Sequence, residues 1–171
     1  LAEGVEIGRS LVETDQIEQA KTILSKAQKH GVVLYLPQDF VVENMTHNHA
    51  NAIRVKNTML DSDCIYDIGP ETSKTLKILL SSAKTVIWNG PLGWFENALY
   101  ANGSMQFARD LAACSCDSII GGGDSVRVVS EAGVTDNMSY ISPGGGAFLA
   151  LLSKSALPVL DCLIQKEGYN A

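Results

Sequence analysis

Ser118-Ile119-Ile120-Gly121-Gly122-Gly123-Asp124-Ser125 passes from a short apolar stretch directly into three glycines, an aspartate and a serine. The stretch reads as a strand that ends abruptly and hands over to a helix. Val126 to Ala132 suits that helix, and Gly133 is placed to end it. The same handover recurs on both sides. Thr85-Val86-Ile87-Trp88 runs into Asn89-Gly90-Pro91-Leu92-Gly93, and Met138-Ser139-Tyr140-Ile141 into Ser142-Pro143-Gly144-Gly145-Gly146. Cys64-Ile65-Tyr66-Asp67-Ile68 runs into Gly69-Pro70-Glu71-Thr72.

Between these strands the apolar residues adopt helical spacing. Leu76, Leu79, Leu80 and Ala83 share one face, as do Met105, Ala108, Leu111 and Ala112. Residues 14–30 carry Ile17, Ala20, Leu24 and Ala27 ahead of Gly31, and Val32 to Leu36 predicts a strand stopped by Pro37. Residues 40–63 are the least periodic part and predict a long connection with an edge element. Ala147 to Lys154 predicts a last helix, and Lys166 to Ala171 a polar tail. Strands alternating with helices predict an α/β fold: a three-layer, doubly wound parallel sheet of Rossmann-like type, built from right-handed crossovers.

A chain of 171 residues has the size of one domain. Lys plus Arg is 13 and Asp plus Glu is 19, a net charge of −6. An acidic chain is a poor binder of nucleic acid or anionic membrane, which need clustered positive charge, so neither is expected as a partner. No apolar run reaches the roughly 18–20 residues of a membrane-spanning helix. The sequence opens Leu1-Ala2-Glu3, without Met and without a signal-like segment. Cys64, Cys114, Cys116 and Cys162 have no zinc spacing and read as scattered thiols. His47-Asn48-His49 is a weak metal signal and reads as a solvated loop.

Nine of the 15 glycines follow predicted strands, in four loops. In one parallel sheet all four loops would meet along the carboxyl rim, where open α/β sheets hold ligands. Backbone N–H groups at helix N-termini would let an acidic protein hold phosphate without basic side chains. No glycine is followed by Lys, so the Walker pattern is absent; Val126 stands where a dinucleotide fingerprint would need its third glycine, and Arg127 follows it. Asp124 suits either a helix N-cap or a magnesium contact. Glu96 suits a ribose contact or a plain surface acid, and Asn89 a phosphate contact or a turn. Trp94 and Phe95 read as an exposed aromatic pair, either covering a base or packed on a neighbouring loop.

Taken in order, Asp67 to Thr72, Trp88 to Glu96, Ile120 to Ser125 and Gly144 to Ala147 resemble the signature loops of phosphoglycerate kinase. Leu36-Pro37-Gln38-Asp39 and Leu157-Pro158 fit the same order, and the resemblance covers roughly residues 1 to 163. It implies reversible, Mg²⁺-dependent phosphoryl transfer between 1,3-bisphosphoglycerate and ADP, giving 3-phosphoglycerate and ATP, in cytoplasmic glycolysis. It also implies a two-lobed, monomeric enzyme. Residues 1–171 would be a partial carboxyl-terminal, nucleotide-binding domain, without the basic amino-terminal lobe that holds the phosphoglycerate. The start of the nucleotide lobe, with its Gly-Ala-Lys segment, would also lie outside the chain, which alone is expected to be inactive and a weak nucleotide binder. Carried over by position, Asn89, Gly90, Pro91 and Leu92 would line the nucleotide site and Glu96 would hold the ribose. Gly122, Gly123, Asp124 and Ser125 would hold phosphates, with Asp124 on Mg²⁺. Gly144, Gly145 and Gly146 would stabilise the transferring phosphoryl group through backbone N–H.

The chain departs from the pattern at several positions. Ser125 and Pro143 stand where the family usually has Thr; Phe148 and Ala150 stand where it commonly has Ser and Glu. Pro143 removes an N–H near the transferring group, and Phe148 predicts altered helix packing. Two other classes fit less of the sequence: a non-enzymatic α/β module for a phosphorylated ligand, and a Rossmann-type oxidoreductase.

Overall fold

A computed structural model describes residues 1–44, 50–142 and 144–153, and the fold is α/β. The chain forms two units, Leu1–Leu79 with Leu92–Phe107 and Leu80–Pro91 with Ala108–Ala171.

The first unit holds an antiparallel sheet in the order β2-β1-β3, with β1 at Asp39–Asn44, β2 at Ala50–Val55 and β3 at Asp63–Ile68. The region expected to be a long connection with an edge element is more ordered than that, a paired hairpin with β2 at the sheet edge, Phe40 opposite Arg54 and Val42 opposite Ala52. Its signal was the β-branched content of Val41-Val42 and Ile53-Arg54-Val55, which pack well on a pleated surface. His47 and His49 lie outside the described residues. Buried Asp63 anchors the far end, its Oδ2 accepting from Arg54 Nε at 2.7 Å and Leu60 N at 3.0 Å.

Helix α1 spans Ile17–Lys29 and α2 spans Pro70–Ser82. The N-terminus of α2 is held by the buried carboxylate of Asp39. Glu71 N donates to Oδ2 at 2.9 Å, Thr72 N to Oδ1 at 2.8 Å and Thr72 Oγ1 to Oδ1 at 2.7 Å. Burial pushes this carboxyl upward, but the Thr72 hydroxyl and the Glu71 and Thr72 N–H groups together hold it below its ordinary value.

Val32 to Leu36 form no strand. Val32, Val33 and Tyr35 are 57%, 67% and 57% exposed. The residues are suited to a sheet, but a strand exists only where a neighbour satisfies its N–H and C=O groups, and among the described residues none pairs here. Leu34 and Leu36 instead line a cavity of about 440 Å³ with Ile23, Leu24, Phe40 and Ile65. No residue of α1 is buried, so its apolar stripe is only partly covered.

The second unit holds the parallel sheet, in the order β4-β5-β6: Thr85–Asn89, Asp117–Gly121 and Tyr140–Ser142. Parallel strands need crossover connections. Helix α3, Asn102–Ala112, lies between β4 and β5, and α4, Gly123–Glu131, between β5 and β6. Helix α5 spans Gly145–Leu152, close to the span expected for the last helix. Trp88, Ala108, Leu111, Ile120, Val128 and Val129 are buried in this unit. Ser118 and Ser139 tie the strand starts reciprocally, each N–H donating to the other's Oγ at 3.0 Å.

Only three of the four glycine loops therefore follow strands of the parallel sheet. The Gly69 loop follows β3, whose partner β1 is antiparallel, so the expected rim of four is a rim of three. Cys64, Cys114 and Cys116 are free and half-buried; Cys162, Pro143, Leu157-Pro158 and the tail lie outside the described residues.

Candidate functional site

Strand register builds the rim. Asn89 pairs with Gly121 and Gly121 with Ser142, so the three strands stop at one level and their loops leave side by side. Gly122 has φ 87°, a backbone state that L side chains rarely adopt, and this lets the chain turn at once into α4. No side chain caps that helix. The N–H groups of Gly123, Asp124 and Ser125 therefore have no helical acceptor and sit at the positive end of the helix.

Helix α5 arrives at the same place. An ideal Cβ on Gly145 would lie 2.7 Å from Gly122 Cα, so the two glycine backbones touch where side chains would not fit. Gly144 O accepts from Phe148 N at 2.9 Å, which closes the first turn of α5. Two helix N-termini thus open at neighbouring points of one rim. Gly123, Asp124, Gly144 and Gly146 are exposed there.

Asn89 stands over this floor, its Nδ2 3.2 Å from the position of a Cβ on Gly122. Gly90 N donates to Ser125 Oγ at 2.7 Å, and Trp88 Nε1 donates to Gly90 O at 2.6 Å. Ser125 is fully buried, so its hydroxyl joins the β4 loop to α4. The ring of Phe148 packs on Gly121, where a Cβ would meet Phe148 Cδ1 at 2.5 Å. A residue that departs from the usual pattern thereby forms part of the floor.

Asp124 is an exposed carboxylate in the first turn of α4, and no cluster of three or more His, Cys, Asp or Glu occurs among the described residues. One carboxylate beside helix N-terminal N–H groups would fit Mg²⁺ carried in on phosphate oxygens; it does not fit a cage made of protein alone.

Leu92 and Glu96 belong to the first unit. Leu92 N donates to Oγ of fully buried Ser104 at 2.9 Å, and Trp94 N to Tyr66 O at 2.7 Å. Trp94 and Phe95 are not an exposed pair: Phe95 is 3% exposed and Trp94 47%. Consecutive residues of the turn face opposite ways. Trp94 packs on Tyr66 and Tyr100, with centroids at 5.4 and 5.9 Å, and Glu96 is exposed. Burial pushes the Tyr100 hydroxyl upward, while a hydrogen bond with Cys64, followed by burial, pushes Tyr66 up to about 12.

The Phosphoglycerate kinase family profile matches residues 1–155. The chain is 46% identical over 166 residues to a phosphoglycerate kinase of Acaryochloris marina, covering 95% of this chain and 41% of that protein. It is 43% identical over 165 residues to one from a Nitratiruptor species, covering 94% and 40% respectively. A solved phosphoglycerate kinase from Coxiella burnetii matches with TM-score 0.88 at 35% identity, over 96% of this chain and 42% of that one. The chain thus spans about two fifths of the length of these relatives.

Proposed function

The chain belongs to the phosphoglycerate kinase family, and on that premise we propose that it is the nucleotide-holding part of an enzyme moving a phosphoryl group between 1,3-bisphosphoglycerate and ADP. The observation that carries this reading is the juxtaposition of two helix N-termini at one level of the parallel sheet, with Gly122 against Gly145 and no side-chain cap on α4.

Each residue has a physical task. The N–H groups of Gly123, Asp124 and Ser125 donate to the nucleotide's phosphate oxygens, and those of Gly144 to Gly146 face the group in transfer. Phosphoryl transfer asks mainly for positioning and charge neutralisation, and fixed backbone dipoles supply both without reorganising. Asn89, Gly90, Pro91 and Leu92 line the nucleotide, and Glu96 accepts hydrogen bonds from the ribose hydroxyls. Asp124 would hold Mg²⁺, whose charge, when bound, would offset the negative phosphates in an acidic protein.

The phosphoglycerate side of the reaction is assigned to a basic lobe on a longer polypeptide, acting as a monomer in cytoplasmic glycolysis. Among the described residues no helix is long and apolar enough to cross a membrane. Isothermal calorimetry tests the reading directly. Mg-ADP binds the 171-residue chain weakly, and Asp124→Lys lowers that affinity about tenfold, roughly one lost charge contact. Equal affinities for the two proteins would overturn it. A coupled assay is expected to show no ATP formation from 1,3-bisphosphoglycerate by this chain alone, and turnover above background would refute that assignment.

A further inference from the structure

Asp67 has no place in the phosphate chemistry, yet it is 2% exposed and has no cationic partner among the described residues. A buried carboxylate without a counter-ion is costly, so what it holds is informative. Ile68 N donates to Oδ1 at 2.9 Å and Gly103 N, at the start of α3, donates to Oδ2 at 2.7 Å. Both oxygens are therefore used, by donors from different segments. A third segment closes over them. A Cβ on either Gly93 or Gly103 would collide with Asp67 Oδ1, so glycine is required at both positions. Directly after Gly93 the chain is tied again, through Trp94 N to Tyr66 O at 2.7 Å, and Phe95 and Tyr100 are buried. Glu96 lies exposed between these anchors.

We propose that Asp67 is a positioning residue: its carboxylate joins the end of β3, the Gly93 turn and the N-terminus of α3, and thereby sets the direction of the Trp94–Glu96 segment. The part of this that concerns ribose rests on the reading of Glu96 given above. A carboxylate suits the task where an amide does not, because two N–H donors converge on two oxygens and an Asn would turn its own NH₂ toward one of them. Burial holds the Asp67 carboxyl above its ordinary value, while the N–H groups of Gly103 and Ile68 draw it back.

The test uses the 171-residue chain with Asp67→Asn, Gly93→Ala and, as reference, Glu96→Gln. In hydrogen exchange, Asp67→Asn is expected to speed the amides of residues 92–103 about tenfold or more and leave residues 117–131 unchanged. Gly93→Ala, which keeps the carboxylate but crowds it, is expected to do the same, and it decides the matter if Asp67→Asn does not fold. In titrations, both variants weaken ADP about tenfold and leave inorganic pyrophosphate unchanged, since only the nucleoside end is misdirected. Glu96→Gln weakens ADP without faster exchange. Unchanged exchange over 92–103 in a folded variant, or equal weakening of ADP and pyrophosphate, overturns the proposal. If the unaltered chain binds no ADP, the nucleotide reading fails, and the exchange measurements still decide whether Asp67 is the clamp.

Discussion

The two units bury different polar chemistry. In the first, the buried carboxylates are Asp39, Asp63 and Asp67; in the second, the buried polar side chains are Ser118, Ser125 and Ser142. Asp63 and Asp67 each draw N–H donors from two segments, and Asp39 takes the adjacent N–H groups of Glu71 and Thr72, so irregular connections are fixed by charge-assisted bonds. Ser118 bonds Ser139 across the strand starts of a regular parallel sheet and Ser125 takes the Gly90 N–H, beside a ladder that already satisfies most of the backbone. The contrast teaches that the antiparallel unit takes its local order from a few ionised groups, whereas the parallel-sheet unit takes it from register and close backbone approach.

Removing a carboxylate should therefore hurt more than removing a hydroxyl. Asp39→Ala leaves the Glu71 and Thr72 N–H groups unsatisfied in a buried place, and a loss of about 3 kcal/mol is expected in urea unfolding. A loss below about 1 kcal/mol would erase the contrast. The pH dependence sharpens it. Because the folded protein holds Asp39 below its ordinary value, its contribution is complete above about pH 4 and fades as pH falls through the lowered value. Asp67 has the opposite sign: its raised value weighs against the fold as pH climbs above about 4. The stability gap between the wild type and Asp39→Ala should thus be flat from about pH 5 to 7 and narrow in stronger acid.

Ser125→Ala is the corresponding test in the second unit. It strands the Gly90 N–H, for an expected cost of about 1–2 kcal/mol without acid dependence, together with weaker Mg-ADP binding by calorimetry. A Thr at this position restores the acceptor if the pocket admits its methyl group. The smallest effect on stability is expected at Val33, where Val33→Lys changes an exposed residue and should shift unfolding by no more than about 0.5 kcal/mol.

Much of this was legible locally. The helices over 70–82 and 102–112 followed from apolar spacing, and β4 and β5 from short apolar runs ended by Asn89-Gly90 and Gly121-Gly122. The glycine loops were visible as a class. The hairpin at residues 39–55 was hidden because its evidence is pairing between strands, and Asn and Asp nearby suggested a loop. Phe95 was misjudged because the facing of a turn residue depends on what the turn packs against. The clamp at Asp67 was invisible: nothing in Asp67-Ile68-Gly69 says that Gly93 and Gly103 will close on its oxygens.

The sequence by itself determined the α/β class, the family and the residue types at the glycine rim, because periodicity, glycine placement and motif order are short-range properties. Tertiary structure alone decided that Asn89, Gly121 and Ser142 end at one level, that Gly122 touches Gly145, and that Val32 to Leu36 form no strand. The physical reason is the same in each case. Strand pairing, close backbone approach and burial of a charge are relations between distant segments, and their energies exist only once those segments meet.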